Sequence, residues 1–170
     1  MVRLQRDYFL QSTLHVAQDL LGKILVFKNH AGVITETEAY IGQDDPACHA
    51  ACGLTARNSV MFGMGGFTYV YFIYGMYFCL NIVTEAENFP AAVLIRGIKL
   101  LTPSTKKMNG PGKLCKYLGI TREHNGVDLT HSEDFYIEDR NFKPDFLATP
   151  RIGIKVGTER LWRFVAIEDQ

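Results

Sequence analysis

Thr68-Tyr69-Val70-Tyr71-Phe72-Ile73-Tyr74-Gly75-Met76-Tyr77-Phe78-Cys79-Leu80-Asn81-Ile82-Val83 is the stretch whose reading decides the fold. Aromatic and β-branched residues fill both halves, and Tyr74-Gly75-Met76 divides them. The pattern predicts two strands, Thr68 to Ile73 and Tyr77 to Val83, joined as a hairpin. A hairpin tip normally takes Gly, Asn, Asp or Ser, whereas this one carries Tyr74. Either the ring folds back onto its own strands or it is a wedge aimed at a partner; the residues alone leave both readings open. No formal charge occurs between Arg57 and Glu85, but Gly63, Gly65 and Gly66 precede the strands and Asn81 and Thr84 close them, so no membrane span is expected.

Working outward, the 170 residues with 47% hydrophobic content fit one domain, 1–170, with a substantial core. The first residues carry charges with no uninterrupted apolar run behind them, so no secretory leader is expected. Cysteines 48, 52, 79 and 115 lack the spacing of a disulfide scaffold, and Cys48-His49 with Cys52 has no second close ligand pair, so reduced thiols and no metal are expected. Lys plus Arg equals Asp plus Glu, which excludes a generally basic nucleic-acid binder. Yet Arg96, Lys99, Lys106, Lys107, Lys113, Lys116 and Arg122 form a run without an acid, and the run from Glu123 to Asp139 has acids and no Lys or Arg. One basic face on a neutral protein, or an ordinary solvated surface, both fit that asymmetry.

Ser12 or Thr13 can cap a short helix bearing Leu14, Ala17, Leu20 and Leu21, stopped by Gly22. Ile24 to Phe27 then reads as a strand, Asn29 to Gly32 as a turn, and Val33 to Ala39 as the returning strand. Strict alternation puts Ile34, Glu36 and Glu38 on one face and Val33, Thr35 and Thr37 on the other. Glu38 therefore shares a face with an apolar residue at a strand end, either solvated or held where its pKa can be tuned. Residues 41–53, containing His49, read as a loop, and Ala91 to Ile95 as a short strand ending at Arg96. Asn109-Gly110-Pro111-Gly112-Lys113 opens a helix that Gly119 ends, and a helix start beside a lysine suits an anion. Pro150 to Val156 and Leu161 to Ile167 read as closing strands around Gly157 to Arg160. The sum is an α+β fold, an antiparallel sheet with short helices.

Four segments in order carry a resemblance: Glu36-Thr37-Glu38-Ala39-Tyr40-Ile41-Gly42, then Asp45 with His49, then the string from Tyr69 to Asn81, then Gly110-Pro111-Gly112-Lys113-Leu114-Cys115. Together they closely resemble the alkyladenine (3-methyladenine, methylpurine) DNA glycosylase family, over nearly the whole chain. The resemblance implies a curved antiparallel sheet with a protruding hairpin that inserts into DNA. It implies a monofunctional enzyme without cofactor or metal, excising 3-methyladenine, 7-methylguanine, hypoxanthine or ethenoadenine from double-stranded DNA. Glu38 matches the family's general base, with Arg96 and the backbone carbonyl of Ile152 as the partners that help hold its water. Tyr40, His49 and Tyr71 match the walls of the base pocket, Asn81 the position that discriminates against guanine, and Tyr74 the intercalating residue, which favours the wedge. Gly112 and Lys113 match backbone-phosphate contacts.

The same chemistry suits the residues themselves, since N-glycosidic hydrolysis passes through an oxocarbenium-like sugar and needs a carboxylate to deprotonate water. After Arg96 the sequence departs from the family pattern, with Gly97-Ile98-Lys99-Leu100-Leu101-Thr102-Pro103 in place of an acidic, proline-containing turn, so the resemblance carries no phosphate contact across 97–108. A monomer acting on damaged duplex DNA is expected, with no membrane partner, in the cytoplasm or nucleoid of a bacterium or in a nucleus. Two rivals stand beside it: a protein that recognises flipped lesions without cutting, against which Glu38 and Arg96 argue, and a hydrolase of free nucleosides, against which Tyr74 and the basic run argue.

Overall fold

The computed structural model describes residues 1–168. Its strands are β1 (Val2–Arg3), β2 (Ile24–Phe27), β3 (His30–Ile41), β4 (Thr68–Ile73), β5 (Tyr77–Val83), β6 (Ala91–Thr102), β7 (Lys106–Asn109), β8 (Phe135–Asp139), β9 (Phe146–Thr149) and β10 (Arg163–Ala166). Three α-helices accompany them: α1 (Arg6–Phe9), α2 (Thr13–Asp19) and α3 (Pro111–Leu118). The main sheet runs β1-β8-β2-β3-β6-β5-β4, with β7 on β6 and with β10 joining β3 to β9. Every one of these pairings is antiparallel, so the α+β class expected from the sequence is the observed one. No helix among the described residues is long and apolar enough to cross a membrane.

β3 is the spine. β6 pairs along it from Ala31 to Ile41, while the opposite edge is shared by β2 at His30–Val33 and by β10 at Glu36–Glu38. The β2–β3 turn is shorter than the expected Asn29–Gly32: Phe27 pairs with His30, and Lys28 (φ 52°) turns the chain within two residues. β6 runs on well past the expected end at residue 95, and the basic residues after it form the additional strand β7.

The two-residue alternation of β3 is broken by a pair of offset bulges. Ile34 pairs with Ile98, Glu36 with Gly97, and Thr37 with Ile95, so Thr35 is an extra residue on β3 and Arg96 an extra residue on β6. The two insertions cancel and the register resumes. Ile34 and Ile98 therefore share the core with Ala39 and Ile95, and Thr37 donates its hydroxyl to the Ala17 carbonyl at 2.7 Å. Glu36 and Glu38 lie on the other face, which corrects the expected grouping of Ile34 with both glutamates. The approach is close: a Cβ on Gly97 would sit 2.9 Å from Thr35 Oγ1 and 3.2 Å from Glu36 Cβ.

Ser12 caps α2 by accepting from the His15 amide, and α2 places Val16 and Ala17 in the core with Leu20 and Leu21. α3 packs on β5 and β6, starting at Gly110 and ending at Gly119 in the left-handed conformation. Of the two expected closing strands, the one at 161–167 is found as β10 (Arg163–Ala166), whereas the one at 150–156 is not and its place is taken by β9 (Phe146–Thr149). Only four residues pair on each, Phe146–Thr149 with Arg163–Ala166, and the intervening glycines 153 and 157 both adopt positive φ and keep that segment out of the sheet. All four cysteines are free, with only Cys52 exposed.

Candidate active site

The face of β3 opposite the main core looks into a cleft of about 900 Å³. Glu38 and Tyr40 from β3, His49 from the following loop, Tyr71 from β4, Asn81 from β5 and Arg96 from β6 all line it. The first turn of α3 and residues 152–156 form its rim. The sequence-predicted residues thus converge on one cavity.

Glu38 is fully buried in the interior of β3, not at a strand end. Its Oε2 accepts from the Ile152 N–H at 2.6 Å, and its Oε1 accepts from the Tyr40 hydroxyl at 2.9 Å. Arg96 Nη1 stands 3.8 Å from Oε1. Burial pushes the carboxyl pKa up, the Ile152 amide, Arg96 and Tyr40 pull it down, and neighbouring Glu36 pushes it up again, with the balance above the usual carboxylate value. Ile152 meets Glu38 through its backbone N–H, while its side chain is half-exposed.

The aromatic walls are held by polar contacts at their edges. His49 Nδ1 is 3.0 Å from the Tyr69 hydroxyl, and the His49 ring meets Tyr71 edge to face at 4.3 Å and 71°. Burial, reinforced by the charge of Arg57, lowers the His49 pKa, so the imidazole is neutral at pH 7. Arg57 Nη2 donates to the Phe72 carbonyl at 2.5 Å and its guanidinium lies 5.7 Å from the Tyr71 ring centre. Asn81, buried within β5, donates its amide to the Tyr69 carbonyl at 3.2 Å, which fixes which edge of the side chain faces the cleft.

Tyr74 is 81% exposed at the β4–β5 tip. The Met76 amide closes the turn on the Ile73 carbonyl at 3.0 Å, and both central residues have positive φ, 53° at Tyr74 and 63° at Gly75. That backbone suits Gly or Asn; in an L-residue such as Tyr it costs about 1–2 kcal/mol. The ring does not fold back, so an exposed aromatic is held at a strained position. Gly112 and exposed Lys113 lie across the cleft in α3. A Cβ on Gly112 would come within 2.7 Å of Tyr77 Cδ1, so glycine is what lets α3 approach the hairpin base. The Gly110 amide bonds the Arg96 carbonyl at 2.8 Å, tying the start of α3 to the β6 bulge.

Sequence reasoning missed the charged support behind this cleft. Arg151 and Asp45, both fully buried, form a two-pronged ion pair at 2.6 and 2.9 Å. Arg151 also donates to the Ala39 carbonyl and lies between the rings of Tyr40 (4.8 Å) and Trp162 (5.1 Å). The only local signal was an Asp in the loop after β3 and an Arg directly before Ile152.

The model of the family described as methylpurine-DNA glycosylase (MPG) matches residues 7–170 of this chain. Relatives named "Putative 3-methyladenine DNA glycosylase" are 62% identical over 161 residues in Sodalis glossinidius (95% of each chain) and 63% identical over 161 residues in Wolbachia pipientis wMel (95% of this chain, 89% of the relative). A relative of the same name in Rickettsia felis is 53% identical over 168 residues, covering 99% of this chain and 95% of its own. The chain belongs to the methylpurine-DNA glycosylase family, enzymes that hydrolyse N-glycosyl bonds.

Proposed function

We propose that this member of the family extrudes a damaged purine from duplex DNA and releases it with a water activated by Glu38, leaving an abasic site. The observation that carries this reading is one buried carboxylate, held by an amide and a phenol and faced by a guanidinium, inside an aromatic cleft. Ionised Glu38 takes a proton from water as the water oxygen bonds to the sugar C1′, and the C1′–N bonding pair leaves with the base. Arg96 orients carboxylate and water, being permanently charged with a fixed fork of donors. Tyr40 on one side and His49 with Tyr71 on the other enclose the base, and a neutral His49 adds no charge against a cationic alkylated purine.

Tyr74 fills the gap left by the extruded nucleotide, because flipping leaves an unstacked space that a flat ring can occupy. Asn81 crowds a C2 amino group and so disfavours guanine. Gly112 and Lys113 hold phosphate at the start of α3. One domain acting as a monomer suffices, as every proposed group comes from one cleft.

The test is a set of duplexes, each bearing one lesion (3-methyladenine, 7-methylguanine, hypoxanthine or ethenoadenine), assayed for abasic sites under single-turnover conditions. Release of at least one lesion is expected, and Glu38→Gln should slow it by about 100-fold or more while binding persists. Release by Glu38→Gln at the unsubstituted rate would overturn the mechanism.

A further inference from the structure

Arg96 makes its nearer contact not with Glu38 but with Glu36. Its Nε lies 3.2 Å from Glu36 Oε1, leaving Nη1 to face Glu38 at 3.8 Å. The same Glu36 oxygen accepts from Arg163 Nε at 2.5 Å, and Arg163 is anchored in turn by Nη1 donating to Thr149 Oγ1 at 3.0 Å. Glu36 is thus bracketed by two guanidiniums, one belonging to the cleft and one to β10. We propose that Glu36 is a positioning residue, which with Arg163 holds the Arg96 guanidinium at the angle that leaves Nη1 facing Glu38 and its water.

The backbone makes such a support necessary. Arg96 is the extra residue of the β6 bulge, so its Cα is outside the regular ladder that fixes the direction of its neighbours. A flexible side chain on such a position needs a partner to hold one rotamer, and Nε pairing constrains the whole planar group because it fixes the plane nearest the stem. The partner comes from the other bulge: Thr35 is the extra residue on β3, and the shift it introduces is what takes Glu36, together with Glu38, off the core face of Ile34 and onto the side of Arg96. Glu36 is absent from the lining of the large cleft and borders a smaller cavity behind it, lined also by Arg96, Asn109, Ile152 and Arg163. It therefore does not touch the base and acts on the reaction through Arg96. Charge also balances, with two arginines set against Glu36 and Glu38.

This inference rests on the role proposed for Glu38 and is tested by a double-mutant cycle. Single-turnover release of a hypoxanthine base is measured for the unsubstituted protein, Glu36→Ala, Arg96→Ala and the double variant, with lesion-duplex affinity and melting temperature alongside. Misplacing a group that orients the reacting water costs about 10- to 100-fold, so Glu36→Ala should lose that much in rate with affinity within about 2-fold. In the Arg96→Ala background the same change should cost less than about 2-fold, because two residues acting as one unit are non-additive. Equal losses in both backgrounds, or no loss from Glu36→Ala alone, would overturn the inference.

Glu36→Gln keeps an acceptor for both arginines and should hold the rate within about 2-fold of the unsubstituted protein. Arg163→Ala, which removes the second holder of Glu36, takes the place of Glu36→Ala in the cycle if that variant unfolds. The charged and titratable groups facing Glu38 are Arg96 from β6, Glu36 and Tyr40 from β3, Cys79 from β5 and Arg151 before Ile152. Removing the Glu36 charge while Arg96 keeps its acceptor, as Glu36→Gln does, deletes the β3 carboxylate that raises the Glu38 pKa, so the acid limb of the rate should move to lower pH in that variant. Glu38→Gln separates the two readings. Full activity there sinks the mechanism itself, while an inactive Glu38→Gln beside an unaffected Glu36→Ala sinks only the positioning role.

Discussion

Removing either member of the Arg151–Asp45 pair should destabilise the protein and slow it at once. Both side chains are fully buried, and Asp45 has no spare lone pairs to offer: it accepts from Arg151 at 2.6 and 2.9 Å, from Arg160 at 3.2 Å, and from the amides of Ile41 and Ala47. Breaking a buried pair by deleting one partner costs about 3–5 kcal/mol, because the other charge stays buried without its counterion. Arg151→Met leaves Asp45 with Arg160 and two amides and belongs at the lower end. Asp45→Asn turns an amide group toward a buried guanidinium left with one carbonyl and two aromatic faces, and belongs at the upper end. Against a whole-domain stability of about 5–15 kcal/mol, either is a large fraction.

The assay is urea unfolding at pH 7, followed by far-ultraviolet circular dichroism and by the fluorescence of Trp162, the only tryptophan, which lies against both Arg151 and Arg160. Acid adds a second readout. Burial alone would raise the Asp45 pKa, but the Arg151 fork and the backbone amides outweigh it and hold the carboxyl below its ordinary value of about 3.9. Its contribution is therefore complete above the unfolded pKa and lost as pH falls through the lower folded one, so Asp45→Asn should flatten the pH dependence of stability below about 4. Because Ile152 follows Arg151 and its amide holds Glu38, release by the folded fraction should also slow by about 10-fold. A stability loss under about 1 kcal/mol for both variants would refute the account.

Glu38 has the opposite linkage: its folded pKa is raised, so the unsubstituted protein loses stability as pH rises from the unfolded value of about 4.3 through the folded one. Glu38→Gln should therefore unfold with a flatter pH dependence across that window, and an unchanged slope in calorimetry at a series of pH values would count against it. Tyr74→Gly should move stability and binding in opposite directions, relieving about 1–2 kcal/mol of left-handed strain while weakening lesion-duplex binding by about 1–3 kcal/mol. A melting temperature that falls with DNA affinity unchanged would make Tyr74 a structural residue instead. Asn81→Ser should raise the single-turnover rate on guanine-type bases relative to hypoxanthine by relief of a clash, and an unchanged ratio would remove Asn81 from selectivity.

What could be read from sequence was what repeats locally. The β4–β5 hairpin was legible to the residue because its alternation is uninterrupted and its turn sits at Tyr74-Gly75-Met76, and α3 was legible because Gly110, Pro111 and Gly119 mark its ends. The walls and carboxylate of the cleft were reached through motif resemblance, and the structure gathers them. Legibility failed where the backbone breaks period. A bulge shifts every following side chain to the other face, and nothing in Ile34-Thr35-Glu36 announces that Thr35 is the extra residue. The expected end of β6 at residue 95 has the same cause, since Arg96 and Gly97 interrupt the apolar run although the strand continues through them.

The pairs that support the site could not be read for a second reason, which is distance along the chain. Asp45 meets Arg151 across 106 residues and Glu36 meets Arg163 across 127, so neither pair has a spacing to detect. Both nonetheless converge on Glu38, the first through the Ile152 amide and Tyr40, the second through Arg96. The segment after β9 is thereby more than a closing strand pair: Arg151, Ile152 and Arg163 all come from it, and each reaches β3 within the space of Glu36 to Tyr40. A carboxylate that must stay ionised while buried needs donors fixed before the substrate arrives, and fixed donors need supports of their own. In this fold the supports come from β10, laid along the edge of β3, and from the irregular segment before it that carries Arg151 and Ile152. A truncation removing β10 should therefore abolish base release even in a protein that retains the cleft's aromatic walls, and single-turnover release at the full-length rate would refute this.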